Sequence, residues 1–228
     1  MKSSSRVAAV GLALLLSGPV WAASPLEVDP KHHKLEFEND KVRVIRTDWG
    51  PKEVSPDMFD VGDSIVVRIT PAHFRVRFAD GRVVDRPGNL GAVVPGPAGR
   101  FSVENLLDQR VNSIVVELKG AAAGPAPVVA RIDPLTSDPA HHRLIFESDK
   151  VRVMRVVNGA GEGAPGFFDA MGAVIVTLTP TQFEVTTPDG NKIYPRFPFG
   201  AAVWFPKGRI LPRNQADMTA EFIVIEPK

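Results

Sequence analysis

The segment DPKHHKLEFENDKVRVIR at residues 29–46 occurs a second time, as DPAHHRLIFESDKVRVMR at residues 138–155. The two segments share 13 of their 18 residues, and the offset of 109 positions between them continues without a gap to the end of the chain. The Asp-Gly pairs at residues 80–81 and 189–190, for example, follow the same offset. The fold question therefore concerns one unit of about 91 residues that is used twice.

The hydrophobic pattern within each unit predicts short β-strands. His33, Leu35 and Phe37 alternate with polar residues, and this period of two indicates a half-buried strand. The continuous apolar run at residues 65–67 indicates a strand that is buried on both faces. The Asp-Gly pair at residues 80–81 predicts a hairpin turn of the kind that needs a positive φ angle. Because proline and glycine separate these short segments, we expect an all-β sandwich or barrel without long helices.

The amino terminus has the features of a secretory signal peptide. It begins with the basic residues Lys2 and Arg6, and the apolar stretch at residues 7–16 follows them. That stretch is too short to span a membrane. A small-residue cleavage site ends at Ala22, so we predict that residues 1–22 are removed and that no membrane span remains. This predicts a periplasmic or secreted protein.

The duplication predicts the domain organisation of the chain. A first barrel is expected at residues 23–119, and a second at residues 138–228. The stretch between them, residues 120–137, is rich in glycine, alanine and proline and is expected to be a linker. Each unit is large enough to bury a core of its own.

The composition excludes several classes of function. The chain has no cysteine, which excludes disulfides, thiolate metal sites and a cysteine nucleophile. Its formal net charge is +1, and loss of residues 1–22, which contain two basic and no acidic residues, would change it to −1. Since the charges are mixed along the chain, we expect no nucleic-acid partner. The sequence also lacks a Ser-His-Asp spacing, a phosphate-binding glycine loop and a nucleophile elbow.

Each unit resembles the cupin superfamily, in particular its small single-domain members. In those proteins a His-His segment followed by Phe-Glu-Asn-Asp and Val-Arg-Val opens the first strands, and residues 32–44 and 141–153 match it. The Asp-Gly hairpin, a Pro-x-Gly…Asn segment at residues 97–105 and a closing Val-Glu-Leu at residues 116–118 follow in the same order. The resemblance covers nearly all of both units. It implies two tandem cupin-type jelly-roll β-barrels, a bicupin.

The resemblance fails at the metal ligands. Cupins hold a metal on a His-x-His motif and a later histidine. Depending on the alignment, the first motif here holds Phe59 and Val61 or Met58 and Asp60, and the later position holds Phe101. The second unit is equally degenerate, with Phe168 and Ala170, or Phe167 and Asp169, and then Ile210. Mostly apolar side chains cannot compensate the desolvation of a divalent ion, so we expect no metal and no other cofactor.

Six residues are candidates for ligand binding. Asp60 and Asp169 occupy equivalent positions and could anchor a ligand at a barrel mouth, or could simply bond the nearby backbone. The other four candidates are Phe59, Phe101, Phe168 and Trp204, which could line a cavity or fill the barrels. The histidine pairs at residues 32–33 and 141–142 are not expected to chelate one ion, because adjacent strand residues point to opposite faces. Their expected role is hydrogen bonding at a strand edge.

These observations favour an exported, metal-free bicupin that does not catalyse a reaction but binds a small molecule or has a structural role. The alternative is a divergent cupin enzyme, an isomerase, lyase or metal-dependent oxygenase, with its catalytic groups in unusual positions such as Asp60 or Asp169. A third interpretation is a homo-oligomer whose edge strands pair between subunits. Fold alone does not separate these interpretations.

Overall fold

The computed structural model describes residues 23–120 and 131–228, which form two antiparallel β-barrels. The predicted signal peptide at residues 1–22 and residues 121–130 of the predicted linker lie outside these residues. The elements of the first barrel are α1 (Pro25–Val28), β1 (His33–Glu38), β2 (Val42–Trp49), β3 (Phe59–Val61), β4 (Ser64–Arg68), β5 (Ala72–Phe78), β6 (Val83–Gly88), β7 (Val93–Pro95), β8 (Gly99–Asn105) and β9 (Val111–Leu118). Those of the second are α2 (Pro134–Ser137), β10 (His142–Glu147), β11 (Val151–Asn158), β12 (Phe168–Thr177), β13 (Thr181–Thr186), β14 (Lys192–Ile193), β15 (Arg196–Phe197), β16 (Ala202–Asn214) and β17 (Ala220–Pro227).

The two barrels repeat one strand arrangement. In the first, a sheet in the order β1-β2-β9-β4-β7 faces a sheet in the order β3-β8-β5-β6. In the second, the order β10-β11-β17-β12-β16-β13-β14 is continuous, and β15 pairs with β13. It is continuous because β12 and β16 each run through both layers, whereas the first unit divides the same stretches into β3 and β4 and into β7 and β8. The all-β prediction is confirmed.

Local predictions from the sequence are confirmed in the turns and in the central strand. Gly81 and Gly190 have φ angles of 88° and 83°, as the Asp-Gly hairpins require. All residues of β4 are buried. The alternation predicted for β1 is wrong at Leu35, whose side chain is 42% exposed. A β-bulge between Leu35 and Phe37 interrupts the period of two.

The two barrels pack against each other through one apolar cluster. Strands β2, β4 and β9 of the first barrel and β11, β12 and β17 of the second each contribute one face to it. Its members are Val42, Val44, Ile65, Val67, Ile69, Ile114, Val116, Val151, Val153, Val174, Val176, Leu178, Ala202, Ile223 and Ile225. The opposite faces of these strands point into the barrels, so each central sheet is buried on both sides, as the continuous apolar run predicted.

Equivalent arginines, Arg46 and Arg155, each approach a glycine of the other barrel. Arg46 of the first barrel donates a hydrogen bond of 2.6 Å from Nη2 to the carbonyl of Gly200 in the second. Its equivalent, Arg155, approaches the equivalent glycine, Gly91: a Cβ built there would lie 2.5 Å from Nη2 of Arg155. Gly91 and Gly200 have φ angles of 73° and 72°, a backbone conformation that favours glycine at both positions. These equivalent contacts indicate that an approximate twofold axis relates the two barrels.

No helix among the described residues is long and apolar enough to cross a membrane.

Candidate ligand cavities

Each barrel encloses a cavity. The first measures about 80 Å³ and the second about 90 Å³. A water molecule occupies roughly 30 Å³ of liquid, so each cavity has room for a few waters or a compact organic molecule. The barrels are therefore not completely filled by their own side chains.

Three of the four aromatic candidates line these cavities. Phe59 and Phe101 face each other across β3 and β8, with ring centroids 5.2 Å apart, and both line the first cavity. Phe168 lines the second cavity. Trp204 does not: it pairs with Val174 and packs against the apolar cluster between the barrels. Its neighbour in sequence, Phe205, lines the second cavity in its place.

Asp60 and Asp169 lie outside the cavities and hold the chain that leads into each barrel. Asp60 accepts a hydrogen bond of 3.2 Å from the backbone N–H of Ala23, and Asp169 accepts one of 2.9 Å from that of Ile132. Asp169 is also bound by Arg209 at 2.8 Å, and this hydrogen bond lowers the pKa of Asp169 to about 2. Hydrogen bonding to the nearby backbone is the second of the two roles expected for this pair.

The second barrel thus begins before residue 138. Ile132 and α2 pack on it as Ala23 and α1 pack on the first, so the predicted linker at 120–137 includes structured residues. In both units the segment before the first strand ends in a helix of four residues with a proline at its start.

The histidine pairs divide into one structural and one cavity residue in each barrel. His32 contacts the carboxylates of Asp29 at 2.7 Å and Glu53 at 2.9 Å, and its ring stacks on Trp49 at 4.1 Å. His33 donates from Nδ1 to the carbonyl of Asp29 at 3.0 Å and lines the first cavity. Burial lowers the pKa of His33, which favours the neutral ring.

The second barrel repeats this arrangement. His141 contacts the carboxylate of Asp138 at 2.7 Å, while His142 donates to the carbonyl of Asp138 at 3.1 Å and lines the second cavity. The ring of His142 meets that of Phe168 edge-on at 5.2 Å. Adjacent histidines therefore point to opposite faces, as expected for a strand.

Glu117 and Glu226 are cavity residues that sequence reasoning treated only as part of the closing strand. They occupy equivalent positions and line the first and second cavities. Burial raises the pKa of both carboxyls, and that of Glu226 to about 7. The sequence did contain a signal for this role. Both copies have a glutamate at this position, in a strand where it alternates with buried valines and isoleucines.

The stability of the chain should depend on pH through Glu226. Because folding raises its pKa from 4.5 to about 7, Glu226 stabilises the fold fully below pH 4.5, and this contribution is lost as the pH rises toward 7. We expect Glu226→Gln to be more stable than the wild type at pH 8, by about 2 kcal/mol, and the difference to vanish near pH 4. Urea unfolding across this pH range measures it.

The control for this prediction is Glu184→Gln. Glu184 is exposed to solvent beside Lys192, and the hydrogen bond from Lys192 lowers its pKa. Its removal should give no gain in stability at pH 8. If Glu226→Gln is no more stable than the wild type at pH 8, burial of the ionised Glu226 side chain does not destabilise the folded state.

Arg68 and Arg86 are two further cavity residues that the sequence did not single out. Arg68 is only 6% exposed, bonds Oγ of Ser113 through Nη1 at 3.0 Å, and lies over the ring of Phe74 at 4.9 Å. Arg86 donates to the carbonyl of Pro95 at 3.0 Å. Burial, with a smaller effect of Arg86, lowers the pKa of Arg68 to about 10, so it remains charged at neutral pH.

The residues at the metal-ligand positions do not fit a metal. Phe59 and Val61 point inward and are buried, and Phe101 occupies the place of the later histidine. In the second barrel Phe168, Ala170 and Ile210 do the same. Within residues 23–120 and 131–228, no group of three or more His, Asp or Glu side chains could hold a metal ion. Such interiors offer too few donors for the loss of an ion's hydration shell.

Comparison with known proteins identifies the fold. No family model and no curated protein sequence matches the chain. Among solved structures, it is similar to AerE from Microcystis aeruginosa, with 12% identity over 86% of this chain and 97% of that chain and a TM-score of 0.59. Oxalate decarboxylase from Bacillus subtilis has 10% identity over 82% of this chain and 68% of that chain, with a TM-score of 0.56. A cupin 2 conserved barrel domain protein from Leptotrichia buccalis has 9% identity over 86% and 88% of the two chains, with a TM-score of 0.52.

These similarities are structural, and at such low identity they establish the fold alone. The chain is a tandem pair of cupin-type jelly-roll barrels, and the fold expected from the resemblance is confirmed.

Proposed function

We propose that this chain is an exported protein that binds small molecules inside its two barrels, without a transition metal and without catalysing a reaction. The observation that carries the proposal is the nature of the barrel interiors. Each has a cavity with mainly apolar walls, and apolar side chains occupy the positions at which metal-binding cupins carry imidazoles. Binding sites for small molecules have this character: mostly apolar, with a few polar groups that fix orientation.

Export rests on the amino-terminal sequence. A basic start, a short apolar stretch and a small-residue site at Ala22 are typical of a cleaved signal peptide. The mature chain should therefore begin at Ala23 and be found in the periplasm or the medium, which amino-terminal sequencing of the fractionated protein can test.

Metal analysis tests the metal-free part of the proposal. Protein purified without a histidine tag should contain well under one equivalent of any transition metal per chain, because the described residues that line each cavity include a single imidazole. A single tightly bound transition metal per chain, retained through dialysis against a chelator, would contradict the proposal.

Methionine methyl signals can test whether the cavities take up a ligand. Met154 and Met171 line the second cavity, whereas Met58 and Met218 do not line either cavity. In protein with ¹³C-labelled methionine methyls, dissolved xenon should shift the signals of Met154 and Met171 in a saturable manner. The signals of Met58 and Met218 serve as internal controls. Absence of any selective shift would mean that the interior is effectively filled.

One observation favours a second candidate, a divergent enzyme. A carboxyl with a pKa of about 7 can donate or accept a proton at neutral pH, and Glu226 shares the second cavity with His142. If a reaction is found, Glu226→Gln should abolish it, whereas Asp169→Ala, outside the cavity, should not.

A further inference from the structure

Two arginine side chains line the first cavity without an acidic partner. Within the described part of the chain, neither Arg68 nor Arg86 forms a salt bridge, and Nε of each is buried without a hydrogen-bond acceptor. Arg68 is more than nine-tenths buried, and the groups it contacts, the Ser113 hydroxyl and the Phe74 ring, are neutral. A buried guanidinium in such surroundings is unfavourable until an anion reaches it.

Strand register places both guanidinium groups at one end of the cavity. Arg86 lies directly opposite Phe74 across β5 and β6, and cross-strand partners project to the same side of a sheet. Arg68 lies over the ring of that same Phe74. The cavity's one carboxyl, Glu117, lies opposite Ser64, four residues from Arg68 along β4, or roughly 13 Å at the rise of a strand. It is engaged there by Nη1 of Arg43 at 3.4 Å.

The second barrel lacks this arrangement at the equivalent positions. Thr177 replaces Arg68 and Pro195 replaces Arg86. The rest of the lining is similar, including the histidine, the glutamate and a phenylalanine from the first motif. Since the arginines are not needed to build the barrel, their presence in the first copy points to a role in binding.

We propose that the first barrel binds a small organic carboxylate, held at its negative end by Arg68 and Arg86, while the second barrel takes neutral apolar molecules. This inference rests on the proposed binding function and names its ligand class. The planar guanidinium groups are well matched to a carboxylate, and Nε of each has no hydrogen-bond acceptor among the described residues. The neutral His33 and the rings of Phe59 and Phe101 would enclose the rest of the molecule. A cavity of about 80 Å³ limits that ligand to a few heavy atoms.

The test is a titration of the ¹⁵N-labelled whole mature chain with acetate, in buffer free of other carboxylates and of phosphate. The Nε–H signals of Arg68 and Arg86, assigned from the single variants, should shift in a saturable manner. Acetamide, which has a similar shape but no charge, should bind at least about tenfold more weakly, because charge-assisted hydrogen bonds are lost. Arg68→Met and Arg86→Met should each weaken acetate binding by at least about tenfold.

Arg110→Met is the matched control. Arg110 is exposed and bound to Asp48 at 2.6 Å, so this variant makes the same change in charge and length outside the cavity and should bind acetate normally. Arg68→Lys, which keeps the charge, provides a second variant if Arg68→Met folds poorly. It should also weaken acetate binding, because the ammonium group of lysine cannot replace the paired N–H donors of the guanidinium.

Three outcomes would overturn the inference, and the first two concern the titration of the wild type. One is the absence of any saturable shift at Arg68 or Arg86, and the other is equal binding of acetamide and acetate. An equal loss in Arg68→Met and Arg110→Met would also overturn it, since the effect would then be one of general charge. If xenon still enters the second barrel while acetate fails, the binding proposal stands and only the ligand class is wrong. If both probes fail, the binding proposal falls as well.

Discussion

Replacing Ile114 or Ile223 with alanine should lower the free energy of unfolding of the entire chain by about 2–5 kcal/mol. These residues occupy equivalent positions in the two units, and both are completely buried in the apolar cluster between the barrels. Truncation removes apolar contact area and leaves a cavity that a close-packed interface cannot fill. Since one cluster supports both barrels, we expect either substitution to shift a single unfolding transition.

Tryptophan fluorescence during urea unfolding can check this coupling. Trp49 reports on the first barrel and Trp204 on the second, and single Trp→Phe variants separate their signals. Both signals should change at the same urea concentration, in the wild type and in each alanine variant. The control is Leu35→Ala, where the side chain is 42% exposed and the change should stay within roughly 0.5 kcal/mol. Independent barrels are indicated instead if Ile114→Ala moves only the Trp49 transition.

The sequence predicted the architecture because the fold follows from patterns that the chain contains twice. Asp-Gly hairpins, the apolar run of β4 and the closing strands each depend on neighbouring residues only, and all are found where expected. The exposure of Leu35 was not predictable, since it depends on the place of β1 at the edge of its sheet, where no further strand covers it.

The orientation of the candidate aspartates depended on a shift of one residue. Alternate strand residues point to opposite faces, so either Phe59 or Asp60 had to face the interior, and the sequence allowed both alignments. The structure puts Phe59 inside, and Asp60 outside against the backbone of Ala23. The second unit makes the same choice with Phe168 and Asp169.

The cavity arginines could not have been recognised from sequence patterns. An arginine at the end of an apolar strand usually reaches solvent or an acidic partner, and neighbours in the sequence do not reveal which. The distinctive feature of Arg68 is that no carboxylate among the described residues lies next to it. Its neighbours come from β5, β6 and β9, which are not adjacent to it in the sequence. Comparison of the two copies offered the only hint, because Thr177 stands at the equivalent position.

Arg68→Met combined with Ser113→Ala should stabilise the chain in the absence of ligand. Burial lowers the pKa of Arg68 from 12.5 to about 10, which corresponds to a cost of about 3 kcal/mol for holding the charge inside the barrel. Methionine keeps much of the aliphatic length, and removing the Ser113 hydroxyl avoids leaving a buried polar group without its partner. We therefore expect a gain of about 1–3 kcal/mol in urea unfolding at pH 7.

The same double variant should lose the response of the wild type to acetate. A ligand that binds only the folded state raises the free energy of unfolding, and the increase grows with the logarithm of the ratio of its concentration to the dissociation constant. Acetate should therefore stabilise the wild type and leave the variant unchanged, so the difference between them should narrow as acetate is added. Arg110→Met, in which an exposed ion pair with Asp48 is lost, should show neither the gain nor the loss of response. A wild type that is more stable than the double variant without any anion would mean that Arg68 supports the barrel itself, because a side chain retained for binding is expected to reduce stability when its site is empty.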